Sequence, residues 1–230
     1  MIALTAASAI VRDICKAEAG GNSESGTGSN QMKQVVIAMT GASGAAYGLR
    51  LIQRLAAAGV KQHLLFSDAA RVVLKQEVGL TLPEQTEDVA AAIASHLQIS
   101  DELLNHYHQS DWFSPTASGS AGIRHMVVIP CSMGSLARIA GGVSDNLLER
   151  AADVMLKERG RLLLVPRETP LSSIHLEHML KLSRMGVDII PAMPGFYHRP
   201  ESVGELVNFI VDRVMDHLNI DDGGARRWGD

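Results

Sequence analysis

The chain has 230 residues, of which 46% are hydrophobic, and its formal net charge is −4. This length and apolar content predict one sizeable domain with its own core. The net negative charge gives no reason to expect nucleic-acid binding, and no apolar run approaches the roughly 20 residues that a membrane span requires. Cys15 and Cys131 lie far apart and form no Cys-x-x-Cys pattern, so neither a disulfide framework nor a zinc site is indicated. This cysteine usage is typical of a reducing compartment, and we expect a cytoplasmic protein.

The first 33 residues have the composition of an extension rather than of a folded domain. Residues 20–30 read GGNSESGTGSN, which is typical of a flexible linker. The mildly apolar residues 1–9 lack the layout of a signal peptide. We therefore expect a flexible extension over 1–33, a folded domain over 34–220 and a C-terminal tail over 221–230, with a targeting role for the extension as an alternative.

From residue 34 onward, apolar strand-like segments alternate with helical ones. The predicted strands are 34–39, 63–66, 125–129, 162–165 and 187–190. The segments between them predict helices, among them an amphipathic helix over 84–105 and one whose N-cap is Ser144-Asp145. Continuous apolar runs are typical of strands buried on both faces. Strands that alternate with helices indicate a parallel sheet with right-handed crossovers.

Polar turns follow the predicted strands. They are Gly41–Gly44, Ser67, Ser132–Ser135, Arg167-Glu168 and the loop over 191–200. Because ligands bind outside the carboxyl ends of parallel strands, we expect these turns to line one crevice. The glycine turn and the helix starts supply backbone N–H donors, which favours a ligand that carries a phosphate.

Three other nucleotide-binding classes fit these residues less well. The glycine turn is not a Walker A loop, because no Gly-Lys-Ser/Thr follows it. The spacing of Gly41, Gly44 and Gly48 disfavours a GxGxxG dehydrogenase, although Asp68 after the second strand leaves a ribose-binding carboxylate open. None of the three tyrosines has a lysine four residues on, as a short-chain dehydrogenase would need.

Four stretches resemble the UbiX-type flavin prenyltransferases, and they occur in order over about Gln34 to Leu218. They are TGASGAAYG, CSMGSLARIAGGVSDNLLERAADVMLKE, VPRETPLSSIHLEHML and PAMPGFYHRP. The resemblance implies an α/β, flavodoxin-like Rossmann fold with helices on both faces of the sheet, usually in a homo-dodecamer that binds FMN. It also implies metal-independent transfer of a dimethylallyl group from dimethylallyl phosphate to N5 and C6 of reduced FMN. The prenylated FMN would serve a UbiD-type decarboxylase in ubiquinone biosynthesis or in aromatic acid decarboxylation.

The resemblance implies roles for individual residues as well. FMN would be contacted by Gly41, Ala42, Ser43, Ser67, Ser132, Met133, Gly134, Ser135 and Arg167. Dimethylallyl phosphate would be held by Lys157, Arg167, Tyr197 and Arg213. Glu168 would be the acid–base residue, with Ser43 and Tyr197 beside the reacting atoms and Trp112 as an aromatic wall. Trp228 resembles, more weakly, a tail residue that closes over some family sites.

The implied chemistry calls for such groups. Breaking an allylic C–O bond leaves negative charge on the departing phosphate, which fixed cations and hydroxyl donors stabilise. An aromatic face such as that of Trp112 stabilises allylic cation character by roughly 0.5–2 kcal/mol. A carboxylate such as Glu168 can accept the proton that leaves the flavin when the second C–C bond forms. The scheme needs no metal, and the chain has no DDxxD cluster.

Simpler interpretations compete with some of these roles. Lys157 could belong to a solvated helix end, and Arg213 could pair with Asp212 or Asp216 on its own helix. Two other functions also compete. One is an FMN-dependent decarboxylase of the related cysteine-decarboxylase class, which the late loop PAMPGFYHRP fits poorly. The other is a flavin carrier without catalysis, in which Glu168 would be dispensable.

Overall fold

The computed structural model describes residues 34–221, and six strands form one parallel sheet within them. The strands are β1 Gln34–Met39, β2 Lys61–Phe66, β3 Leu104–His106, β4 His125–Cys131, β5 Arg161–Pro166 and β6 Asp188–Ile189. Their order across the sheet is β3-β2-β1-β4-β5-β6, and every neighbouring pair is parallel. Without the short edge strand β3, this is the order of flavodoxin-like sheets. The predicted fold class is therefore confirmed.

Seven α-helices in the described range cover the two faces of the sheet. They are α1 Ala45–Ala57, α2 Asp68–Val78, α3 Thr86–Leu97, α4 Met133–Gly141, α5 Leu147–Lys157, α6 Ser173–Arg184 and α7 Val203–Leu218. One core lies between the sheet and α1, α2, α3 and α7, and a second core lies between the sheet and α4, α5 and α6. Among residues 34–221, no helix combines the length and the apolar character needed to cross a membrane.

Burial on both faces explains the continuous apolar runs of the strands. Side chains alternate between the two faces of a strand. In β1, Val35, Ile37 and Met39 therefore point into the first core, and Val36 and Ala38 into the second. All five are at most 1% exposed. A polar side chain at any of these positions would lie in an apolar core.

The segment 84–105 contains a helix and a strand, so its prediction as one helix was wrong. α3 ends at Leu97 because Gln98 takes a left-handed conformation, with φ 56°, and donates its N–H back to the helix end. Leu104–His106 then pairs with β2 as the sixth strand. A three-residue strand is too short to show an alternating pattern, and Leu104 also fits the helical spacing of the residues before it.

The N-cap of α5 also differs from the prediction. Asn146 is the cap, and its Oδ1 accepts a hydrogen bond from the backbone N–H of Glu149 at 3.0 Å. Asp145 instead pairs with Arg138 of α4 at 2.9 Å, and Arg138 also pairs with Glu149. The Glu149 side chain is 4% exposed, and a buried carboxylate is tolerated when it is paired in this way. The polar cluster therefore ties α4 to the start of α5.

His63 is a buried histidine within the sheet. It lies on β2, is 1% exposed, and its Nδ1 and Nε2 lie 3.2 Å from the Tyr107 hydroxyl and 3.0 Å from Gln34 Oε1. Burial and, to a smaller extent, the nearby charge of Lys61 lower the pKa of His63 to about 4. The ring is therefore neutral at neutral pH.

We expect His63 to make the fold sensitive to acid. Its pKa is lower in the folded state than the ordinary 6.5, so protons bind preferentially to the unfolded chain as the pH falls from 6.5 towards 4. The free energy of unfolding should drop by about 2 kcal/mol at pH 5 through this group alone. Urea unfolding at pH 7 and pH 5 should show a smaller acid loss for His63→Gln than for the wild type. The exposed-site control His108→Gln should retain the wild-type loss, and equal losses in all three proteins would contradict the assignment.

Candidate active site

The carboxyl ends of β1 and β4 form the switch point of the sheet, because the chain continues from them in opposite directions. Ligands of open parallel sheets bind in the crevice at this point. Thr40, 1% exposed, joins the two ends. Its Oγ1 donates to the Pro130 carbonyl at 2.9 Å and accepts from the Ser132 N–H at 2.7 Å. The turn after β1 and the start of α4 are therefore held side by side.

The predicted glycine turn, Gly41–Gly44, packs directly against the start of α2. A Cβ atom on Gly41 would lie 2.5 Å from the Cβ of Ala69, so only glycine allows this approach. Ser67, the N-cap of α2, donates its N–H to the Met39 carbonyl at 3.1 Å. Ser67 therefore lies beside the glycine turn, as predicted from the strand ends.

Arg167 approaches the same turn from β5. Its Nε donates to the Ser43 carbonyl at 3.2 Å, and its backbone N–H donates to the Cys131 carbonyl at 3.3 Å. The structure thus places Ser43, Ser67, Ser132 and Arg167 along one crevice. Cys131 is fully buried there, and burial raises the pKa of its thiol to about 12, so it is a protonated packing residue and not a nucleophile.

The start of α1 already holds an anion. The carboxylate of Glu77, on α2, accepts from the N–H groups of Gly44 and Ala45, each at 2.9 Å. The sequence predicts that N–H groups at helix starts bind a phosphate. In the structure these two N–H groups instead donate to Glu77. The backbone N–H groups of Ala42 and Ser43 form no hydrogen bond within residues 34–221, so they remain available to a ligand. Sequence reasoning missed Glu77 because 33 residues separate it from Gly44.

The start of α4 forms the opposite wall of the crevice. Ser132 caps this helix, since its Oγ accepts from the Ser135 N–H at 3.2 Å and donates to the Ser135 Oγ at 3.0 Å. The next two residues, Met133 and Gly134, present first-turn N–H groups at the positive end of the helix dipole. No atom lies within 4 Å of the position that a Cβ of Gly134 would take. These donors and this space fit a planar ligand that carries a phosphate.

Glu168 and Tyr197 lie at the same end of the sheet, beyond the carboxyl ends of the strands. Glu168 follows Arg167 and is exposed, and its Oε1 accepts from the Thr169 N–H at 3.0 Å. The Ala192 N–H donates to the Pro166 carbonyl at 2.9 Å, which attaches the loop over 191–200 to the end of β5. Tyr197, 62% exposed, belongs to this loop. Tyr47, which sequence reasoning also missed, lies near Arg167. Burial raises the pKa of Tyr47, and the charge of Arg167 opposes this rise with a smaller effect.

Lys157 lies at the opposite end of the sheet, next to the amino ends of the strands. It is the last residue of α5, four positions before β5 begins at Arg161. A six-residue strand spans about 20 Å, which exceeds the reach of a lysine side chain. The Nζ of Lys157 pairs with Glu158 Oε1 at 2.5 Å. Within one chain, Lys157 therefore does not reach the crevice.

Two further predicted residues are not joined to the crevice among the described residues. Arg213, on α7, donates to Asp216 at 2.8 Å. This is the ion pair within its own helix that the simpler interpretation of Arg213 predicts. Trp112 is 47% exposed, and no hydrogen bond or ring contact among residues 34–221 links its side chain to the crevice. Trp228 lies outside the described residues, as do residues 1–33 of the predicted extension.

Replacing Glu77 should destabilise the chain, because Glu77→Ala leaves two helix-start N–H groups without their acceptor. We expect a loss of about 1–3 kcal/mol in the free energy of unfolding. Glu77→Gln, which keeps an acceptor oxygen, should lose less. Urea unfolding of the flavin-free protein measures both, with the exposed-site variant Glu84→Ala as control. A Glu77→Ala protein as stable as the control would show that the Glu77 contact contributes nothing.

Comparisons with known proteins agree with this geometry. A family model described as Flavoprotein matches residues 23–215. A protein named flavin prenyltransferase UbiX, from Pseudomonas aeruginosa, is 47% identical over 198 residues, which cover 86% of this chain and 95% of that protein.

Two solved structures are similar as well. A dodecameric FMN-dependent UbiX-like decarboxylase from Escherichia coli O157:H7 is 41% identical, with a TM-score of 0.75, over 86% of this chain and 100% of that one. AnUbiX (PadA1), in complex with FMN and dimethylallyl pyrophosphate, is 38% identical, with a TM-score of 0.77, over 87% of this chain and 99% of that one. The family model and the 47% identical relative both cover most of the chain, which therefore belongs to the UbiX-type flavin prenyltransferase family of flavoproteins.

Proposed function

We propose that the chain catalyses transfer of a dimethylallyl group from dimethylallyl phosphate to N5 and C6 of reduced FMN, giving prenylated FMN and phosphate. The observation that carries this proposal is the crevice at the switch point, where Ser43, Ser67, Ser132 and Arg167 converge. Its similarity to UbiX proteins selects a flavin and an allylic phosphate as the ligands.

FMN supplies the nitrogen and carbon atoms that form the new bonds, and the chain supplies the binding groups. The N–H groups of Ala42 and Ser43, with the Ser67 hydroxyl, hold the FMN phosphate beside Gly41. The start of α4 (Ser132, Met133, Gly134 and Ser135) lies along the flavin ring. This assignment uses the N–H donors that Glu77 leaves unoccupied.

Arg167 and Glu168 have different roles at the reacting atoms. The Arg167 guanidinium, held at Ser43 by the bond from its Nε, stabilises negative charge on the departing phosphate. The neighbouring Glu168 carboxylate accepts the proton that the flavin loses when the second C–C bond forms. The exposure of Glu168 in the single chain leaves its carboxylate accessible to ligands.

The donor phosphate is bound by Tyr197, Arg213 and Lys157 in addition to Arg167, and Lys157 comes from a neighbouring copy of the chain. Lys157 lies at the amino ends of the strands of its own sheet, so in this proposal a second copy brings one to each crevice. Trp112, in a loop that leaves it half exposed, completes the apolar side of the site in the assembly. It shields the allylic group from water.

The surface of α6 supports a homo-oligomer. Large apolar side chains are at least half exposed along this helix and just after it: Ile174, Leu176, Leu180 and Met185. Leu182 is the one residue of α6 that is fully buried. Exposed apolar surface of this kind marks subunit contacts. A dodecamer, as in the Escherichia coli relative, is the assembly we propose.

Two further parts of the proposal concern the setting of the reaction. The product chemistry points to a UbiD-type decarboxylase as the recipient of prenylated FMN, in ubiquinone biosynthesis or in aromatic acid decarboxylation. We also propose a cytoplasmic location, because the two widely spaced cysteines are typical of a reducing compartment.

The rival decarboxylase of the cysteine-decarboxylase class is less well supported. Such enzymes oxidise a thiol and use a methionine-rich substrate clamp, whereas the late loop here presents Tyr197 with its ring largely exposed. The relative that is 47% identical also carries the prenyltransferase name. A flavin carrier without catalysis would need no carboxylate beside Arg167.

Anaerobic incubation with reduced FMN and dimethylallyl phosphate should release phosphate and convert FMN to a flavin of higher mass. The mass increase should equal that of one dimethylallyl group replacing the hydrogen it displaces. Mass spectrometry of the extracted flavin measures this, and a reaction without the donor is the control. Recovery of FMN with unchanged mass would reject the enzymatic function.

Glu168→Gln should bind FMN with the wild-type Kd but form the final ring about 100-fold more slowly, because general base catalysis contributes 10²–10⁴-fold. Glu102→Gln, a change of the same type at an exposed loop position, should react like the wild type. Single-turnover absorbance measures the rate, and fluorescence quenching measures the Kd. Equal rates in both variants would remove Glu168 from the mechanism.

A further inference from the structure

Tyr197 belongs to a compact group of three rings. Its centroid lies 5.7 Å from that of Phe209, on α7, and 5.6 Å from that of His198, and both contacts are edge-to-face. The rings of His198 and Phe209 stack at 5.4 Å with an interplanar angle of 7°. Aromatic pairs in these geometries attract one another beyond the area that they bury. The ring of Tyr197 is therefore held by two other rings.

The backbone closes over the same group. A Cβ atom on Gly195 would lie 2.9 Å from Cε1 of Tyr197 and 3.1 Å from Cζ of Phe209. The loop can approach both rings only because residue 195 is glycine. Tyr197 nevertheless stays 62% exposed. This combination of a fixed ring and an exposed side chain is suited to presenting a hydroxyl to a ligand.

Phe209 also relates Tyr197 to Arg213. Phe209 and Arg213 are four residues apart on α7, so they lie on the same face of the helix. In the single chain the Arg213 guanidinium donates to Asp216 at 2.8 Å, on the side of Arg213 away from Phe209, so a bound donor phosphate would replace this surface ion pair. Tyr197 packs onto the Phe209 ring, and Arg213 is exposed one turn away. One face of α7 thus carries both groups.

We propose that Phe209 is a positioning residue, which holds Tyr197 over the Arg213 turn so that the tyrosine hydroxyl and the guanidinium bind one donor phosphate. The inference rests on the proposed function, since it takes the donor to be an allylic phosphate. Phe209 itself touches no reacting atom and acts through Tyr197. His198 supports the same ring from the loop side.

A purely structural role for Phe209 makes a different prediction. Phe209 is half buried beside the first core, so its loss could lower stability without changing donor binding. A positioning role instead makes the effects of Phe209 and Tyr197 on donor affinity depend on each other. Residues that act through one contact are non-additive, and a double-mutant cycle measures that coupling.

The test measures the Kd of dimethylallyl phosphate by calorimetry on the oligomer loaded with oxidised FMN, so that binding does not depend on turnover. Tyr197→Phe should weaken binding about tenfold or more, as expected for the loss of one hydrogen bond to a charged group. Phe209→Leu should weaken it about as much, and the double variant no more than Tyr197→Phe alone. The Kd of FMN should stay at the wild-type value throughout.

Three comparisons complete the experiment. Phe209→Tyr, which keeps the ring, should restore binding, and Phe196→Leu, the same type of change at an exposed ring of the loop, should leave it intact. Should Phe209→Leu fail to fold, His198→Leu removes the second supporting ring, from the loop, and should weaken donor binding in the same way. The inference is overturned if Phe209→Leu binds the donor normally, if its effect multiplies with that of Tyr197→Phe, or if Tyr197→Phe has no effect. Loss of prenyl transfer with this coupling intact would instead count against the proposed reaction alone.

Discussion

The crevice depends on the hydroxyl of Thr40. At the switch point of a parallel sheet, two neighbouring strands send the chain in opposite directions, and nothing in the sheet itself holds their loops together beyond the last ladder bond. Thr40 Oγ1 makes one hydrogen bond to each side, to Pro130 and from Ser132, in a position that is 1% exposed. A buried polar group left without its partner costs about 1–3 kcal/mol. The loop that carries Ser43 and the helix start that carries Met133 are therefore held in register.

The N–H groups at the helix starts, beyond the carboxyl ends of the strands, fall into two groups. Glu77 neutralises the start of α1, whereas Ala42, Ser43 and the start of α4 keep their N–H groups for a ligand. Without Glu77, adjacent helix starts would offer an anion several alternative positions. In the proposed complex, the internal carboxylate leaves the FMN phosphate the side of the crevice next to Ser67.

The sequence predicted the sheet and the crevice because both follow from local patterns. Continuous apolar runs located five of the six strands, and strand-end polar residues identified Ser43, Ser132 and Arg167, which the structure joins. The contact of Glu77 with Gly44 spans 33 residues and leaves no local pattern. Strand β3 was missed because three residues carry too little periodicity. The position of Lys157 at the far end of the strands could be inferred only once the strand directions were known, and the role proposed for it depends on a neighbouring copy.

The proposed site is a property of the assembly, in which one chain supplies the flavin crevice and another supplies Lys157. The most direct test is a crystal structure of the oligomer with FMN and dimethylallyl phosphate bound. It should show the FMN phosphate at the N–H groups of Ala42 and Ser43, with the Lys157 ammonium of a neighbouring chain at the donor phosphate. A flavin bound away from the β1–β4 switch point, or a donor phosphate with no lysine from another chain near it, would contradict this account.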